Sequence, residues 1–268
     1  MLRLPPLAGL LMLAGCAAPM RPALPPLRMA TFNIHAGKDT GGTDNLDRLA
    51  AWVRAERPDV LLLQEVDVET TRSGGVDQPA RIVDAVGGHI AFGKTLDFQG
   101  GQYGIAVWSR FPIRRHALRH LPIDPPQARA GGSYEPRGAL VVEIDAPGRR
   151  LTVVNTHLDA SGSDMYRQQE AATLLALSDS LRRTSATVVV GGDFNATPNA
   201  DVIGRVRAAG WHDAWATCGS DDGFTFSARQ PIKRIDYLWL DESLGCTSAR
   251  VSADTLSDHR ALVVSGVR

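Results

Sequence analysis

The sequence predicts an α/β fold in which two β-sheets pack together and helices cover their outer faces. Three observations lead to this prediction. The chain has 268 residues, 44% of them hydrophobic, which is enough for one large domain with a substantial core. Short β-rich runs recur along the chain, often one directly after another, and stretches of helical periodicity lie among them. Predicted strands often follow one another along the chain without a helix between them. This order favours two packed sheets over a single sheet whose strands alternate with helices.

The predicted elements divide into two similar halves. In the first half, strands are predicted at residues 28–34, 60–63, 90–96, 104–109 and 113–121, with helices at 46–57 and 79–86. The first of these helices has apolar residues at Leu46, Leu49, Ala50 and Val53, and Pro58 ends it. In the second half, strands are predicted at 139–144, 150–155, 186–190, 234–240, 247–252 and 261–264, with helices at 164–183 and 199–208. One compact domain is therefore expected over residues 27–268.

The first 16 residues have a different character from the rest of the chain. Arg3 precedes a short apolar run at residues 7–13, which is too short to span a bilayer and indicates a signal peptide. The run ends in Leu13-Ala14-Gly15-Cys16, which resembles the bacterial lipobox and predicts lipidation of Cys16. An ordinary secretory signal ending near residues 17–18 is the alternative. Residues 17–26 are rich in proline and are expected to form an extended tether. The protein is thus predicted to be exported and lipid-anchored to a bacterial membrane, on its periplasmic or cell-surface side.

Charge and cysteine content limit the function classes. Lys and Arg number 29 and so do Asp and Glu, which disfavours a dedicated nucleic-acid binder but leaves room for a local basic patch. Cys218 and Cys246 are the cysteines outside the N-terminal segment. In an oxidising compartment they are compatible with a disulfide, and two buried thiols are the alternative, because sequence does not give the geometry that a disulfide needs.

Polar and ionisable residues recur where the predicted strands end. Each of them alone is explained as a turn former, a helix cap or a hydrogen-bonded histidine. Together they indicate one cluster on the loops above a rigid scaffold, which is typical of a catalytic or binding site. The residues of this predicted cluster are Asn33, His35, Glu65, His157, Asp193, Asn195, Asp236, Asp258 and His259.

Six segments in this cluster resemble, in order, the motifs of the endonuclease/exonuclease/phosphatase superfamily. They are Thr31-Phe32-Asn33-Ile34-His35, Leu63-Gln64-Glu65-Val66, Asn155-Thr156-His157-Leu158-Asp159, Gly192-Asp193-Phe194-Asn195, Arg234-Ile235-Asp236-Tyr237 and Ser257-Asp258-His259. The resemblance extends over residues 29–264. It implies a DNase I-like four-layer α/β sandwich and a metal-dependent hydrolase of phosphoester bonds, phosphodiesters above all. Mg²⁺ or Mn²⁺ is the implied cofactor, since hard oxygen ligands suit these ions.

The resemblance also implies a role for each residue. The implied metal ligand is Glu65, with Asn33 and Asp258 near it. Asp193 orients or deprotonates the attacking water, and Asp236 pairs with His259, which is either the base or a phosphate ligand. The implied catalytic residues are His157, Asp193, Asn195, Asp236 and His259, and the implied phosphate-binding residues are Asn195, His157, His259 and Arg137. For Arg137, a solvated charge at a strand start is the alternative.

One position departs from the family pattern. Many family members carry an acidic residue just before the strand that begins Tyr-Gly-Ile-Ala, where it supports the histidine on the phosphate side. Here that residue is Gln102. An amide can orient His157 but does not stabilise its cation as a carboxylate does. Whether His157 protonates the leaving oxygen or only hydrogen-bonds the phosphate is therefore left open.

The resemblance identifies the bond that is cleaved better than the molecule that carries it. The expected partners are a phosphoester substrate and, through the N-terminal lipid, a membrane; the sequence indicates no protein partner. A membrane tether and a neutral charge favour a phospholipid or its head group over extracellular DNA or RNA. A non-catalytic lipoprotein that binds a phosphorylated ligand is the alternative from another class, and the intact set of motif residues argues against it.

Overall fold

A computed structural model describes residues 24–126, 135–185 and 187–268 of the chain. The predicted signal peptide, Cys16 and most of the predicted tether lie outside the described residues. Within those ranges, no helix combines the length and the apolar character that crossing a membrane requires.

The described residues contain two six-stranded sheets. In chain order the strands are β1 (Leu27–Asn33), β2 (Val60–Val68), β3 (His89–Phe98), β4 (Gly101–Ser109), β5 (Ile113–Leu121), β6 (Arg137–Ala146), β7 (Arg149–His157), β8 (Val188–Asp193), β9 (His212–Asp213), β10 (Asp236–Leu240), β11 (Ser248–Val251) and β12 (Leu262–Val267). The first sheet has the order β11-β12-β1-β2-β4-β3 and the second the order β5-β6-β7-β8-β10-β9. The pairs β1/β2 and β7/β8 are parallel and their other neighbours are antiparallel, so both sheets are mixed.

Helices cover the outer face of each sheet. They are α1 (Leu46–Glu56), α2 (Gln78–Val86), α3 (Met165–Thr184) and α4 (Asp201–Ala208), whereas the short helix α5 (Ala214–Cys218) packs against the core between the sheets. One apolar core lies between the sheets, a second joins α1 and α2 to the first sheet, and a third joins α3 and α4 to the second sheet. The layers are therefore helix, sheet, sheet, helix, and the predicted four-layer α/β sandwich is confirmed.

Two short elements were not predicted. Strand β9 has 2 residues and helix α5 has 5, too few for either to show a periodicity in the sequence. The predicted strand at 234–240 also begins later, at Asp236, because Arg234 turns aside to a buried carboxylate. Its Nη1 and Nη2 donate to Oδ1 and Oδ2 of Asp213 at 3.0 and 2.7 Å.

A disulfide closes the end of the sandwich near α5. It joins Cys218, the last residue of α5, to Cys246 before β11, with 6.1 Å between their Cα atoms. The structure thus selects the disulfide from the two alternatives that the sequence left open.

Removal of this disulfide is expected to destabilise the fold. A Cys218→Ser/Cys246→Ser variant should unfold with a free energy lower by roughly 3–4 kcal/mol, since a bond between residues 28 apart restricts the unfolded chain. Urea titration followed by tryptophan fluorescence measures the difference. Wild-type protein treated with a reductant is the control and should match the variant, whereas a difference under about 1 kcal/mol would contradict the expectation.

Candidate active site

The strand ends bring the predicted residues to one edge of the sandwich. Asn33 ends β1, His157 ends β7 and Asp193 ends β8, while Asp236 begins the antiparallel strand β10. Asp193 lies directly opposite His157 on one side and Asp236 on the other. Because parallel strands end at the same edge and an antiparallel neighbour begins there, four chain segments deliver polar side chains to one place.

Unusual backbone conformations occur at this edge. Glu65 lies in an irregular part of β2 and has a φ of 56°, and Asn195 has a φ of 48°. Side chains rarely adopt such angles, which cost on the order of 1–3 kcal/mol each. At Gly192 a Cβ atom would lie 1.9 Å from the carbonyl oxygen of Thr156, so only glycine allows β7 and β8 to approach here. The candidate site thus contains strained backbone, although positive φ angles also occur elsewhere, as at Arg57 and Gln99.

Asp193, Asp236 and His259 form the most compact polar group at this edge. His259 Nδ1 lies 2.9 Å from Asp236 Oδ2, and His259 Nε2 lies 3.5 Å from Asp193 Oδ2. All three residues are buried. One potential ligand atom from each lies within 4.8 Å of the others, so within the described ranges this group could hold a cation.

The three groups shift one another's pKa values. Burial by itself lowers the pKa of His259, but the carboxylates of Asp236 and Asp193 outweigh burial and raise that pKa to about 10. Burial, and next the charge of Asp236, raise the pKa of Asp193 to about 7, against the opposing effect of the His259 cation. His259 is therefore a cation at neutral pH, and Asp193 is a carboxylate that readily takes up a proton.

Asn33 connects this group to Glu65. Its Nδ2 donates to Glu65 Oε1 at 3.0 Å and to Asp193 Oδ2 at 3.1 Å, while its Oδ1 accepts from the His35 N–H at 3.1 Å. Glu65 and Asp258 line the same cavity as Asp193. The predicted metal residues are thus gathered around the compact group, and their assignment as ligands stays a prediction.

The donor atoms of this region fit a hard divalent cation. They are carboxylate and amide oxygens and an imidazole, and no thiol lies in the compact group. Asp236 Oδ1 is buried and accepts no hydrogen bond within the described part of the chain. Such a set suits Mg²⁺ or Mn²⁺ better than a cysteine-bound zinc.

Asn195 and His157 border the cavity on the side of β7. The Asn195 backbone N–H donates to Asp193 Oδ1 at 2.9 Å, and Asn195 Nδ2 donates to the carbonyl oxygen of Leu158 at 3.0 Å. His157 Nε2 lies 3.6 Å from Asp193 Oδ2. The Asn195 backbone and the His157 side chain therefore lie beside the carboxylate that the sequence assigned to the attacking water.

Gln102 does not support His157, so the suggestion that its amide orients this histidine is wrong. Gln102 is exposed on β4. Its neighbour Tyr103 is the one that points into the cavity, because successive strand residues face opposite sides. Arg137 does contact the His157 ring, since its Nη1 lies 2.9 Å from His157 Nδ1. Arg137 is buried, so the alternative of a solvated charge does not apply to it.

The cavity has a volume of about 630 Å³, and several of its walls were not predicted. Arg72 lies over the rings of Phe98 and Tyr103, at 4.9 and 5.3 Å from their centroids. Its Nε and Nη2 donate to the two carboxylate oxygens of the buried Asp67, both at 2.8 Å. Phe226, Lys233 and Arg167 line other parts of the cavity. Arg167 lies at the start of α3, whereas Arg72, Phe226 and Lys233 come from segments between the main strands and helices without a shared motif, so sequence alone offered no signal for those three.

Glu170 is a buried carboxyl close to this site. Its Oε2 accepts the N–H of Asp159, which follows the His157 strand. Burial raises the pKa of Glu170 from 4.5 to about 7, although the Asp159 N–H and the cation of Arg137 oppose the shift. A carboxyl whose pKa is raised by folding stabilises the fold below its unfolded value and loses that contribution as pH rises to the folded value.

We therefore expect Glu170→Gln to change how stability depends on pH. Between about pH 4 and pH 8 the variant should gain on the order of 3 kcal/mol relative to wild type, since it has no proton to lose. Urea unfolding at both pH values measures the gain. The half-exposed Asp179→Asn on α3 is the matched control and should show no such change. A constant difference between Glu170→Gln and wild type would contradict the raised pKa.

The fold and the cluster together define a class of protein. The sequence profile described as the Endonuclease/Exonuclease/phosphatase family matches residues 30–259. The chain therefore belongs to this family, whose members are generally phosphoesterases. It is also similar to YbhP of Escherichia coli strain K12, itself described as uncharacterized, with 25% identity over 248 residues, 88% of this chain and 94% of YbhP.

Solved structures show the same fold. An endonuclease/exonuclease/phosphatase from Beutenbergia cavernae has a TM-score of 0.76 and 25% identity, covering 91% of this chain and 71% of its own. A mannosyl-6-phosphatase from Bacteroides thetaiotaomicron has a TM-score of 0.75 and 18% identity, covering 89% and 98%. TDP2 from Caenorhabditis elegans has a TM-score of 0.70 and 22% identity, covering 90% and 74%. The last two identities establish the fold alone.

Proposed function

We propose that this protein is a divalent-metal-dependent phosphoester hydrolase in which an activated water attacks phosphorus in line. The observation that carries the proposal is the convergence of Asp193, Asp236, His259, His157 and Asn195 on one cavity edge, with Glu65 linked to them through an asparagine. A binding protein for phosphorylated ligands has no need of a carboxylate whose pKa lies near 7 beside the ligand.

The residues of the chain divide the work of phosphoryl transfer. Asp193 accepts a proton from the attacking water as the new P–O bond forms and the bond to the leaving oxygen breaks. His259, kept cationic by Asp236, and Asn195 stabilise charge on the phosphoryl oxygens. Glu65, with Asn33 and Asp258, would hold the cation. A bound divalent cation supplies Lewis-acid polarisation of the phosphoryl group.

The proposed substrate is a phospholipid or its head group. A cavity of about 630 Å³ lies in the range that small ligands fill. Leu96, Phe98 and Phe226 give it apolar walls, and Lys233 adds positive charge. This combination suits a compact molecule with an apolar part and a phosphate. The balanced net charge gives no support to a dedicated nuclease, so extracellular nucleic acid remains the alternative that the assay must separate.

The full-length protein and an Asp193→Asn variant would be assayed with Mg²⁺, with Mn²⁺ and with EDTA. The panel consists of phospholipids, their water-soluble head-group phosphoesters, DNA and RNA. Metal-dependent turnover that EDTA abolishes and added Mg²⁺ restores is expected for the wild type only, with the highest kcat/KM on a lipid or head-group ester. Turnover that does not need a metal would contradict the proposed metal dependence. A preference for DNA or RNA would contradict the proposed lipid or head-group substrate.

We also propose that the protein is exported and anchored through Cys16. The disulfide between Cys218 and Cys246 supports export, since such bonds persist mainly in oxidising compartments. Cys16→Ser is expected to move the protein from the membrane fraction to the soluble fraction of its bacterial host. A variant that stays in the membrane fraction would contradict the anchor.

A further inference from the structure

A chain of largely buried polar contacts leads to His157 from the wall of the cavity. Tyr103 donates its hydroxyl hydrogen to Glu135 Oε1 at 2.8 Å. Arg137 Nη1 donates to the same Glu135 oxygen and lies 2.9 Å from His157 Nδ1. The Arg137 side chain is 3% exposed, so its position is fixed by these neighbours and not by solvent.

The chemistry of arginine decides which nitrogen of His157 carries the proton. A guanidinium group only donates hydrogen bonds, so His157 Nδ1 must accept with its lone pair. A neutral imidazole with an unprotonated Nδ1 carries its hydrogen on Nε2. Protonating both nitrogens would place two N–H donors and two cations against each other in a buried region, which is unfavourable. His157 Nε2 is the atom on the side of Asp193, at 3.6 Å from its Oδ2.

The two histidines of the site are therefore held by partners of opposite charge on the same ring atom. Nδ1 of His259 lies against the carboxylate of Asp236, and Nδ1 of His157 lies against the guanidinium of Arg137. A carboxylate favours a cationic ring, whereas a guanidinium favours a neutral one. The two histidines are thus held in different states, His259 as a cation and His157 as a neutral ring.

We propose that Arg137 is a positioning residue that holds His157 as the Nε2–H tautomer, so that His157 donates a hydrogen bond to a phosphoryl oxygen and does not protonate the leaving group. The inference rests on the proposed function, because it specifies what His157 does there. The Nε2 proton stays on His157 throughout turnover. When the P–O bond breaks, the leaving oxygen takes its proton from solvent.

The tautomer can be measured without any substrate. In full-length protein labelled with ¹⁵N-histidine, long-range ¹H–¹⁵N spectra distinguish protonated from unprotonated ring nitrogens, and His157→Gln identifies the His157 signals. We expect an unprotonated Nδ1 and a protonated Nε2 in the wild type. Arg137→Met should abolish this fixed state, and Arg137→Lys, which keeps a cationic donor, should restore it. A protonated Nδ1 in the wild type, or an unchanged spectrum in Arg137→Met, would overturn the proposal.

A matched control tests whether the change in the His157 signals is specific to Arg137 or follows the loss of any largely buried arginine. Arg182 on α3 is also a largely covered cation, paired with Asp179 and stacked on Trp211 at 4.2 Å. Arg182→Met should leave the His157 signals unchanged. If it alters them as Arg137→Met does, the contact with Arg137 is not what sets the tautomer.

The leaving-group role is tested with aryl phosphoesters whose leaving phenols differ in acidity. His157→Gln should lower kcat by the same factor, within about threefold, for good and poor leaving groups, because a contact to a phosphoryl oxygen is lost in both. A loss that grows by more than about tenfold toward poor leaving groups would show proton donation and overturn the proposal. Failure of the wild type to hydrolyse any ester would refute the proposed function, while the spectra would still decide the tautomer.

Discussion

His259→Asn is expected to lower kcat on the order of 10³-fold, within the range measured when a transition-state donor or an acid–base group is lost. The variant lacks the cation that Asp236 and Asp193 hold at the cavity edge through contacts of 2.9 and 3.5 Å. Asparagine is smaller and neutral, so it neither reaches both carboxylates nor offers positive charge to a phosphoryl oxygen. Steady-state kinetics on the best substrate of the panel measure the loss.

The same variant has a distinct stability signature. The pKa of His259 is raised from 6.5 to about 10, so its contribution to stability is fully present below about pH 6.5 and is lost as pH rises through about 10. The deficit of His259→Asn relative to wild type should therefore be larger near pH 6 than near pH 10. Exposed His116→Asn on β5 is the control and should change neither rate nor stability. Turnover within about tenfold of wild type would contradict the assignment of His259 to the phosphoryl oxygens.

Asp193→Asn is expected to abolish most activity while leaving the fold intact. The variant keeps the volume of the side chain but cannot accept a proton from water, so kcat should fall by about 10²–10⁴-fold with little change in KM. The side chain lies between His157 and His259, and its Oδ2 accepts from Asn33 at 3.1 Å. Kinetics over a range of pH measure both constants.

Stability should move in the opposite direction to activity. Folding raises the pKa of Asp193 from 3.8 to about 7, so the wild type loses stability from this group as pH rises through that window. The variant should gain stability relative to wild type between those pH values. Asp254→Asn, which removes a carboxyl outside the cavity, is the control for kinetics and should not lower the rate. An Asp193→Asn variant with more than about a tenth of the wild-type kcat would show that another group deprotonates the water.

Much of the architecture could be predicted because it depends on local patterns. Alternation of apolar runs with turns marked the strands, and the stripe at Leu46, Leu49 and Val53 marked α1, which the structure places at Leu46–Glu56. Short elements such as α5 were missed because five residues show no period. The core between the sheets follows from the same patterns, since apolar faces must be buried against each other.

The candidate site was predictable only in part. Residues such as Asp193 and Asp236 were found because polar residues recur at the ends of the predicted strands and lie in segments that resemble the family motifs. Arg72 was not found, because it lies over the Phe98 ring only once the segment that carries it has folded back against β3. Glu65 was found by its motif, but the left-handed backbone that turns it is invisible in the sequence.

The sequence by itself determined the layers of the sandwich, the family and the residues that meet at the edge of the candidate site, because periodicity and motifs can be read directly from the sequence. Only the tertiary structure decided that Cys218 bonds to Cys246, that Gln102 faces solvent and that Arg137 contacts His157. These facts depend on the register between strands and on distances between segments far apart in the chain. A shift of one residue in the pairing of a strand would turn each of its side chains to the other face, so contacts between particular side chains depend on a register that only the folded sheets fix.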